Sequence, residues 1–296
     1  LELEHVSAEA EPELPKVDGQ ESLAENSLPD ELTPVTIAKS KCTDRDLMQL
    51  NEELVRGVPL HQTLQFWGRL WRLKPMEMDP LQQARIYEYS RQVSHLDRFL
   101  SHAWHTPGWR KFLSLLVQSG SRFMLACWTM GTGLAFGLCM LDVLPLFYTT
   151  RTWAQQQDMA VGCWVTLAGL VSGIGSLLVS PYMPRSGLTC FLDVVCVHQT
   201  DEDLMKQGIY NIGGVLAVSA NLHVLWSPPY LSRLWCVFEL AAYRKMNPAG
   251  TITIAPLYLE NFACQIFLCL HAISIVLSFG RVFYDLGPVF VLSLLG

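Results

Sequence analysis

This 296-residue sequence lacks closely spaced pairs of cysteines. Its nine cysteines include no Cys-x-x-Cys pair. Five of them lie in apolar runs, where a free thiol packs as a small hydrophobic group, namely Cys127, Cys139, Cys163, Cys264 and Cys269. We therefore expect free thiols in a reducing compartment rather than a disulfide framework.

Basic charge is also scarce. The 21 Lys and Arg residues face 27 Asp and Glu residues, and no helix-turn-helix, zinc-finger or RRM pattern is present. The sequence therefore gives no sign of a nucleic-acid partner. Residues 1–31 hold ten acidic side chains and one lysine without apolar periodicity. This composition predicts a disordered acidic tail over residues 1–40.

Long apolar runs are abundant instead, and 50% of the residues are hydrophobic. The runs 123–148 and 159–179 each exceed the roughly 20 residues that a helix needs to cross a bilayer. We expect a transmembrane hairpin over 122–181 and further spans over 262–296, with a turn at 281–285. The alternative for the hairpin is a pair of buried core helices.

The remaining sequence alternates between short apolar segments and segments of helical period. Four segments are dense in apolar residues, as parallel strands buried on both faces are: 99–100, 191–192, 222–226 and 252–255. Helices are predicted after Thr106-Pro107 and over 204–220. This alternation predicts an α/β fold with a doubly wound parallel sheet. Residues 41–94 are predicted to be helical, with the aromatic residues of 60–74 either at the lipid headgroups or packed on the α/β domain.

Several of these segments resemble the TIR (Toll/interleukin-1 receptor) domain in its plant-like and protist-like versions. The most specific is Trp-Ser-Pro-Pro-Tyr-Leu-Ser-Arg-Leu-Trp-Cys-Val-Phe-Glu-Leu, residues 226–240. The others resemble the family's opening strand, its second strand, the helix that follows and a late strand: 96–102, 187–193, 204–220 and 251–258. The resemblance implies a flavodoxin-like sheet built from 95–121 and 186–260 and interrupted by the membrane hairpin.

The same resemblance implies a site. In enzymatic TIR domains a glutamate in the Trp-Cys-x-x-Glu-Leu block is the catalytic residue that cleaves NAD between nicotinamide and ribose, and the matching residue here is Glu239. A fixed carboxylate suits this reaction because the breaking bond builds positive charge on the ribose. Trp104 is expected to stack on the nicotinamide, while Asp193 and Ser101 bind NAD in the same cleft. NAD would be a substrate, and neither a metal nor another cofactor is implied.

Basic residues near the predicted hairpin indicate its orientation. Three of them precede the first span, namely Arg110, Lys111 and Arg122. Arg185 follows the second span, whereas the turn between the spans carries only Arg151 against Asp158. By the positive-inside rule the α/β domain is cytoplasmic. We expect a multi-pass membrane protein that signals by self-association or by recruiting other TIR-like domains, with NAD cleavage as an additional activity.

Three other interpretations stay open. In a non-enzymatic scaffold Glu239 supports only the fold or an interface, and the sequence after Asp193 differs from the loop by which many TIR domains pair. A transporter or channel-like protein, with the α/β domain as a regulatory module, would depend on His271 and Asp142 in the apolar runs. Metal binding would use four side chains that follow no common zinc-ligand spacing, namely His102, His105, Cys196 and His198.

Overall fold

The computed structural model describes residues 51–73, 78–145, 148–151, 158–161, 163–183 and 187–295. The predicted acidic tail lies outside this part of the chain, as does Arg185. The strands are β1 (Arg56–Pro59), β2 (Arg91–Gln92), β3 (Arg98–His102), β4 (Tyr148–Arg151), β5 (Asp158–Val161), β6 (Thr189–Phe191), β7 (Asn221–Trp226) and β8 (Thr251–Pro256). The α-helices are α1 (Leu60–Arg72), α2 (Pro80–Tyr87), α3 (Gly108–Met140), α4 (Trp164–Val179), α5 (Asp193–Cys196), α6 (Glu202–Tyr210), α7 (Ile212–Ala217), α8 (Leu234–Met246) and α9 (Leu257–Leu295).

A six-stranded sheet in the order β2-β1-β6-β3-β7-β8 forms the centre of the fold. The four strands β6, β3, β7 and β8 are parallel, whereas β1 and β2 add an antiparallel edge. In the register, Phe99 of β3 lies opposite Phe191 of β6 and Leu222 of β7. The prediction of an α/β fold with a mainly parallel sheet is therefore confirmed. The same pairing joins the chain before α3 and the chain after α4 in one sheet.

The core of this sheet is built from three of the four predicted apolar runs, 99–100, 191–192 and 222–226. The run 252–255 was predicted to be buried on both faces, but it lies in the edge strand β8, where Ile254 is 61% exposed. Phe99 and Phe191 are 1% and 2% exposed, and their rings stack with centroids 4.8 Å apart. Burying one such side chain contributes roughly 1.5–3 kcal/mol. Leu225 of β7 and Leu115 of α3 are fully buried as well. The continuous apolar composition of the strands thus reflects helices on both faces of the sheet.

Two strands appear where the sequence predicts only helix. Residues 41–94 do contain α1 and α2, but Arg56–Pro59 pairs with β6 and with β2. Val58 is fully buried and lies opposite Cys190. The helical prediction is wrong here because this four-residue segment is stabilised by its place at the sheet edge and not by its own period.

The predicted helix over 204–220 is divided in two at Asn211. The Asn211 side chain accepts a hydrogen bond from the backbone N–H of Asn51 at 3.1 Å and donates one to its carbonyl at 3.2 Å. α6 ends before Asn211 and α7 begins after it. A contact far along the chain therefore overrides the local helical pattern.

Within the part of the chain that the structure describes, three helices are long and apolar enough to cross a membrane: Gly108–Met140, Trp164–Tyr182 and Leu257–Ser278. α3 is continuous, so the helix predicted after Thr106-Pro107 and the first predicted span are one element. The antiparallel pair β4 and β5 lies between α3 and α4, and the second apolar helix consequently starts at Trp164 rather than at residue 159. α9 follows β8 directly and runs unbroken to Leu295, so the turn predicted at 281–285 is wrong.

Candidate functional site

The carboxyl ends of β3 and β7 meet at one edge of the sheet. Ser101 of β3 donates a hydrogen bond to Glu239 of α8. The next residue, His102, lies instead beside Lys111 of α3 and packs against Trp71 of α1 with ring centroids 5.5 Å apart. Because successive strand residues point to opposite faces, α8 and α3 cover opposite faces of the sheet. Open α/β sheets bind ligands in the crevice that such an arrangement leaves.

Ser101, Tyr230 and Glu239 form a buried polar cluster at this edge. They are 1%, 1% and 4% exposed. The Ser101 hydroxyl lies 2.6 Å from the Tyr230 hydroxyl and donates to Oε2 of Glu239. A serine hydroxyl has one proton to donate, so Tyr230 is the donor to Ser101. The chain of hydrogen bonds therefore runs from Tyr230 through Ser101 to the carboxyl group.

The carboxyl group of Glu239 is a much weaker acid than an ordinary glutamate. Burial raises its pKa to about 8, the hydrogen bond from Ser101 opposes this shift, and the charge of Asp193 adds to it. Desolvation disfavours the charged form of a carboxyl group. Without a cation nearby, Glu239 is therefore mainly protonated at neutral pH.

A cleft of about 380 Å³ opens at the same edge of the sheet. Trp104, which is 50% exposed, and the half-buried Asp193 both line it. Trp235 and Cys236, one turn before Glu239 on α8, line it too. The structure therefore divides the four predicted site residues into two pairs. Trp104 and Asp193 face the cleft, whereas Ser101 and Glu239 lie in the buried cluster next to it and are not lining residues.

The cleft carries a basic group that the sequence analysis did not assign. Arg233 lines the cleft together with His105, and its guanidinium lies 2.7 Å from Nε2 of that histidine. Trp104 stacks on His102 with ring centroids 6.1 Å apart. Since Trp104 is half exposed, one side of its ring remains open to a ligand.

Lys111 is a second basic residue whose place at the carboxyl edge the sequence did not predict. It precedes the apolar part of α3, as expected, but it is only 4% exposed and lies near Asp193 and His102. The helical spacing could have shown this, because Lys111, Ser114 and Leu115 are all buried on one face of α3. Burial lowers the pKa of His102 to about 4, so this ring is neutral at physiological pH.

The structure does not support the metal interpretation. Among the described residues, no group of three or more His, Cys, Asp or Glu side chains could hold a metal ion. His105 contacts Arg233, while Nδ1 of His198 accepts a hydrogen bond from the backbone of Asp201 at 3.0 Å. Cys196 is buried in the apolar core.

His271 and Asp142, the residues on which a transporter would depend, lie in different surroundings. Trp128 of α3 donates a hydrogen bond to Nε2 of His271 at 3.4 Å, and Nδ1 of His271 lies 2.8 Å from the Phe267 carbonyl oxygen. Both ring nitrogens are thus engaged within the helix bundle. Asp142 is exposed in the turn after α3. Neither residue adds support to a transporter interpretation.

No family model, curated protein or solved structure matches the chain. The TIR-like assignment therefore stays a prediction, and its support comes from the residues and geometry of this chain alone.

Proposed function

We propose that this chain is a membrane-anchored signalling protein whose TIR-like domain lies in the cytoplasm and hydrolyses NAD between nicotinamide and ribose. The observation that carries the proposal is the buried Glu239 carboxyl group, held by Ser101 beside the cleft. The strand order also supports it. Numbered along the chain, the parallel strands β3, β6, β7 and β8 lie in the spatial order 2-1-3-4, which agrees with the flavodoxin-like order.

The cleft suits the nicotinamide half of the substrate. Its volume of about 380 Å³ is within the usual range for small-molecule sites. Trp104 offers an open aromatic face, and Asp193 offers a carboxylate for the ribose hydroxyl groups. Arg233 supplies a positive charge for the phosphate groups. The nicotinamide ring, its ribose and the phosphate groups thus each meet a side chain of suitable chemistry.

Substrate binding also brings a positive charge close to Glu239, which favours ionisation of its carboxyl group. The nicotinamide ring of NAD is cationic, and an opposite charge within a few ångströms favours the ionised carboxyl group. As the N-glycosidic bond breaks, positive charge moves to the ribose and the carboxylate of Glu239 stabilises it. Water then adds to the ribose carbon, nicotinamide leaves, and one proton is released. Because Glu239 is 4% exposed, side chains of the first turn of α8 move aside in this reaction.

The test is NAD consumption by the detergent-purified chain and by Glu239→Gln. We expect the variant to lose about a hundredfold or more of the rate, as is typical when a group that stabilises transition-state charge is removed. Glu202→Gln is the matched control, since the Glu202 side chain is 80% exposed and pairs with Lys206 of its own helix. Equal turnover by Glu239→Gln and the unchanged chain would remove Glu239 from the chemistry.

A second candidate function is self-association without catalysis. It is favoured by exposed apolar side chains on α8 and on the edge strand β8. Leu234 is 86% exposed, Phe238 37% and Ile254 61%. Exposed apolar patches commonly mark protein interfaces.

Cross-linking of two differently tagged copies in the membrane tests this surface. If it mediates self-association, Leu234→Glu combined with Phe238→Glu abolishes the cross-link, whereas Tyr210→Glu on α6, where the ring is 69% exposed, leaves it intact. An unchanged cross-link in the double variant would contradict the scaffold function through α8.

A further inference from the structure

A second cavity lies at the amino edge of the sheet, where the α/β domain meets the apolar helices. It has a volume of about 400 Å³ and lies between the start of α1, the first residue of β3, the middle of α3 and the end of α4. His61, Arg98 and Arg122 supply its basic groups. None of the described lining residues is acidic. The cavity is thus on the side of the domain opposite the cleft.

Exposed aromatic residues place this cavity at the membrane surface. Phe66, Trp67 and Tyr182 are 66%, 65% and 53% exposed. The Tyr182 hydroxyl accepts a hydrogen bond from the backbone N–H of Phe66 at 2.9 Å, immediately after α4. Aromatic side chains concentrate at membrane–water interfaces. Arg122 is also the last charged residue before the apolar part of α3. The predicted headgroup location of the upstream aromatics therefore fits Phe66 and Trp67, whereas Trp71 packs in the core.

The backbone beside the cavity is strained at Phe66 and Trp67, whose rings are exposed. Phe66 and Trp67 have φ values of 51° and 59°, in the left-handed region. Such a conformation costs a non-glycine residue of order 1 kcal/mol or more. It persists because surrounding contacts hold it, among them the hydrogen bond from Gln65 to the Pro181 carbonyl at 3.2 Å.

The basic groups of the cavity have no acidic partner. Neither the Arg98 side chain nor the Arg122 side chain makes an ion pair or a hydrogen bond with any other residue that the structure describes. Nδ1 of His61 is buried and has no hydrogen-bond partner among the described residues. Glu260 of α9 accepts a hydrogen bond from the lining residue Gln118 at 2.7 Å, so two arginines and a histidine lie beside a single neighbouring carboxyl group. Excess positive charge at a membrane surface attracts anionic lipids.

We propose that this cavity binds the phosphate headgroup of an anionic phospholipid. Arg98 and Arg122 hold the anionic oxygens of the headgroup, its phosphate and, in phosphatidylserine, its carboxylate, through charge-assisted hydrogen bonds, and His61 is a third donor. The buried side chains of Leu60 and Leu64 line the apolar wall. A lipid is favoured over free phosphate because exposed Phe66 and Trp67 lie next to the cavity and would contact acyl chains. This site is independent of the cleft and of NAD chemistry.

Thermal unfolding of the whole chain in dodecyl maltoside tests the proposal. Short-chain phosphatidylserine, short-chain phosphatidylcholine and inorganic phosphate are titrated separately, because a ligand of the folded state raises the melting temperature. We expect phosphatidylserine to bind at least about tenfold more tightly than either of the others, the factor that one charge-assisted hydrogen bond supplies. Equal stabilisation by phosphatidylcholine would overturn anionic selectivity, and equal stabilisation by inorganic phosphate would overturn a lipid as the source.

Single substitutions localise the site. Arg98→Gln and Arg122→Gln are each expected to weaken phosphatidylserine binding about tenfold. Arg110→Gln is the matched control, because Arg110 is an exposed arginine at the other end of the sheet-packed part of α3. Arg122 is itself exposed, so its loss leaves the fold intact even if Arg98→Gln does not fold. An unchanged affinity in Arg122→Gln would contradict the proposed site.

Discussion

Replacing Glu239 by glutamine changes how the stability of the chain depends on pH. Burial raises the pKa of Glu239 from 4.5 to about 8 in the folded chain. Below the lower value both the folded and the unfolded chain hold the proton, and the free energy of unfolding is unaffected. Between the two values only the folded chain holds it, so stability falls as the pH rises. Above the upper value both states are ionised and the loss is complete.

The size of the effect follows from this window. Each pH unit inside it removes about 1.4 kcal/mol from the free energy of unfolding. Between about pH 6 and pH 8 the free energy of unfolding falls by about 2 kcal/mol. The fall is smaller than two full pH units would give because Glu239 of the folded chain begins to ionise near pH 8. For a domain of this size it corresponds to about 6 °C in melting temperature. Glutamine does not titrate, and its side-chain oxygen still accepts the hydrogen bond from Ser101.

The assay is thermal unfolding of the detergent-purified chain, followed by tryptophan fluorescence across this pH range. We expect Glu239→Gln to gain stability relative to the unchanged chain as the pH rises, whereas Glu202→Gln, at an exposed position, shows no such gain. A difference between Glu239→Gln and the unchanged chain that stays constant with pH would refute the reasoning, because it would mean that Glu239 is already ionised in the folded state.

Two further predictions concern the packing of the α/β domain. His223 is 3% exposed, and burial together with the charge of Arg98 lowers its pKa to about 4. The neutral ring therefore contributes fully to the free energy of unfolding above its ordinary pKa of 6.5, and this contribution is lost as the pH falls towards 4. His223→Gln should therefore lose less stability than the unchanged chain in acid melts, and a parallel loss in both would contradict this. Gly108→Ala should destabilise by about 1–3 kcal/mol, because a Cβ there would lie 1.9 Å from the Trp71 carbonyl oxygen. At Gly133 in the same helix an added Cβ would meet no atom within 4 Å, so Gly133→Ala should be tolerated. Urea titration of both variants gives their free energies of unfolding, and an equal loss in the two would disprove the close contact at Gly108.

The strands of the parallel sheet were predictable because each is a short apolar run. Phe99, Phe191 and Leu222 lie in continuously apolar segments, whereas a surface strand or helix alternates apolar and polar residues. The three residues lie side by side in neighbouring strands. β1 was missed because Arg-Gly-Val-Pro is too short to show a period. Its identity as a strand depends on Cys190, which lies far along the chain.

The candidate site was only partly predictable, for a similar reason. The resemblance pointed to Glu239, but its hydrogen bond comes from Ser101, 138 residues earlier in the chain, which also contacts Tyr230. Tyr230 belongs to the most specific block of the sequence, yet its role appears only when β3 and α8 come together. The burial of Lys111 was not predicted because a count of charges carries no information about helix faces, whereas its spacing from Leu115 does.

The central claim is that chain segments on either side of the apolar hairpin form one α/β domain with one site. Thr106 precedes the hairpin and Ser227 follows it, and their buried hydroxyl oxygens lie 2.7 Å apart. The most direct measurement is disulfide formation in Thr106→Cys combined with Ser227→Cys, in a chain with a protease site inserted between residues 152 and 157. After oxidation and cleavage, we predict that the two fragments stay joined until a reductant is added, whereas either single substitution lets them separate. Separation of the fragments from the oxidised double variant would contradict the account.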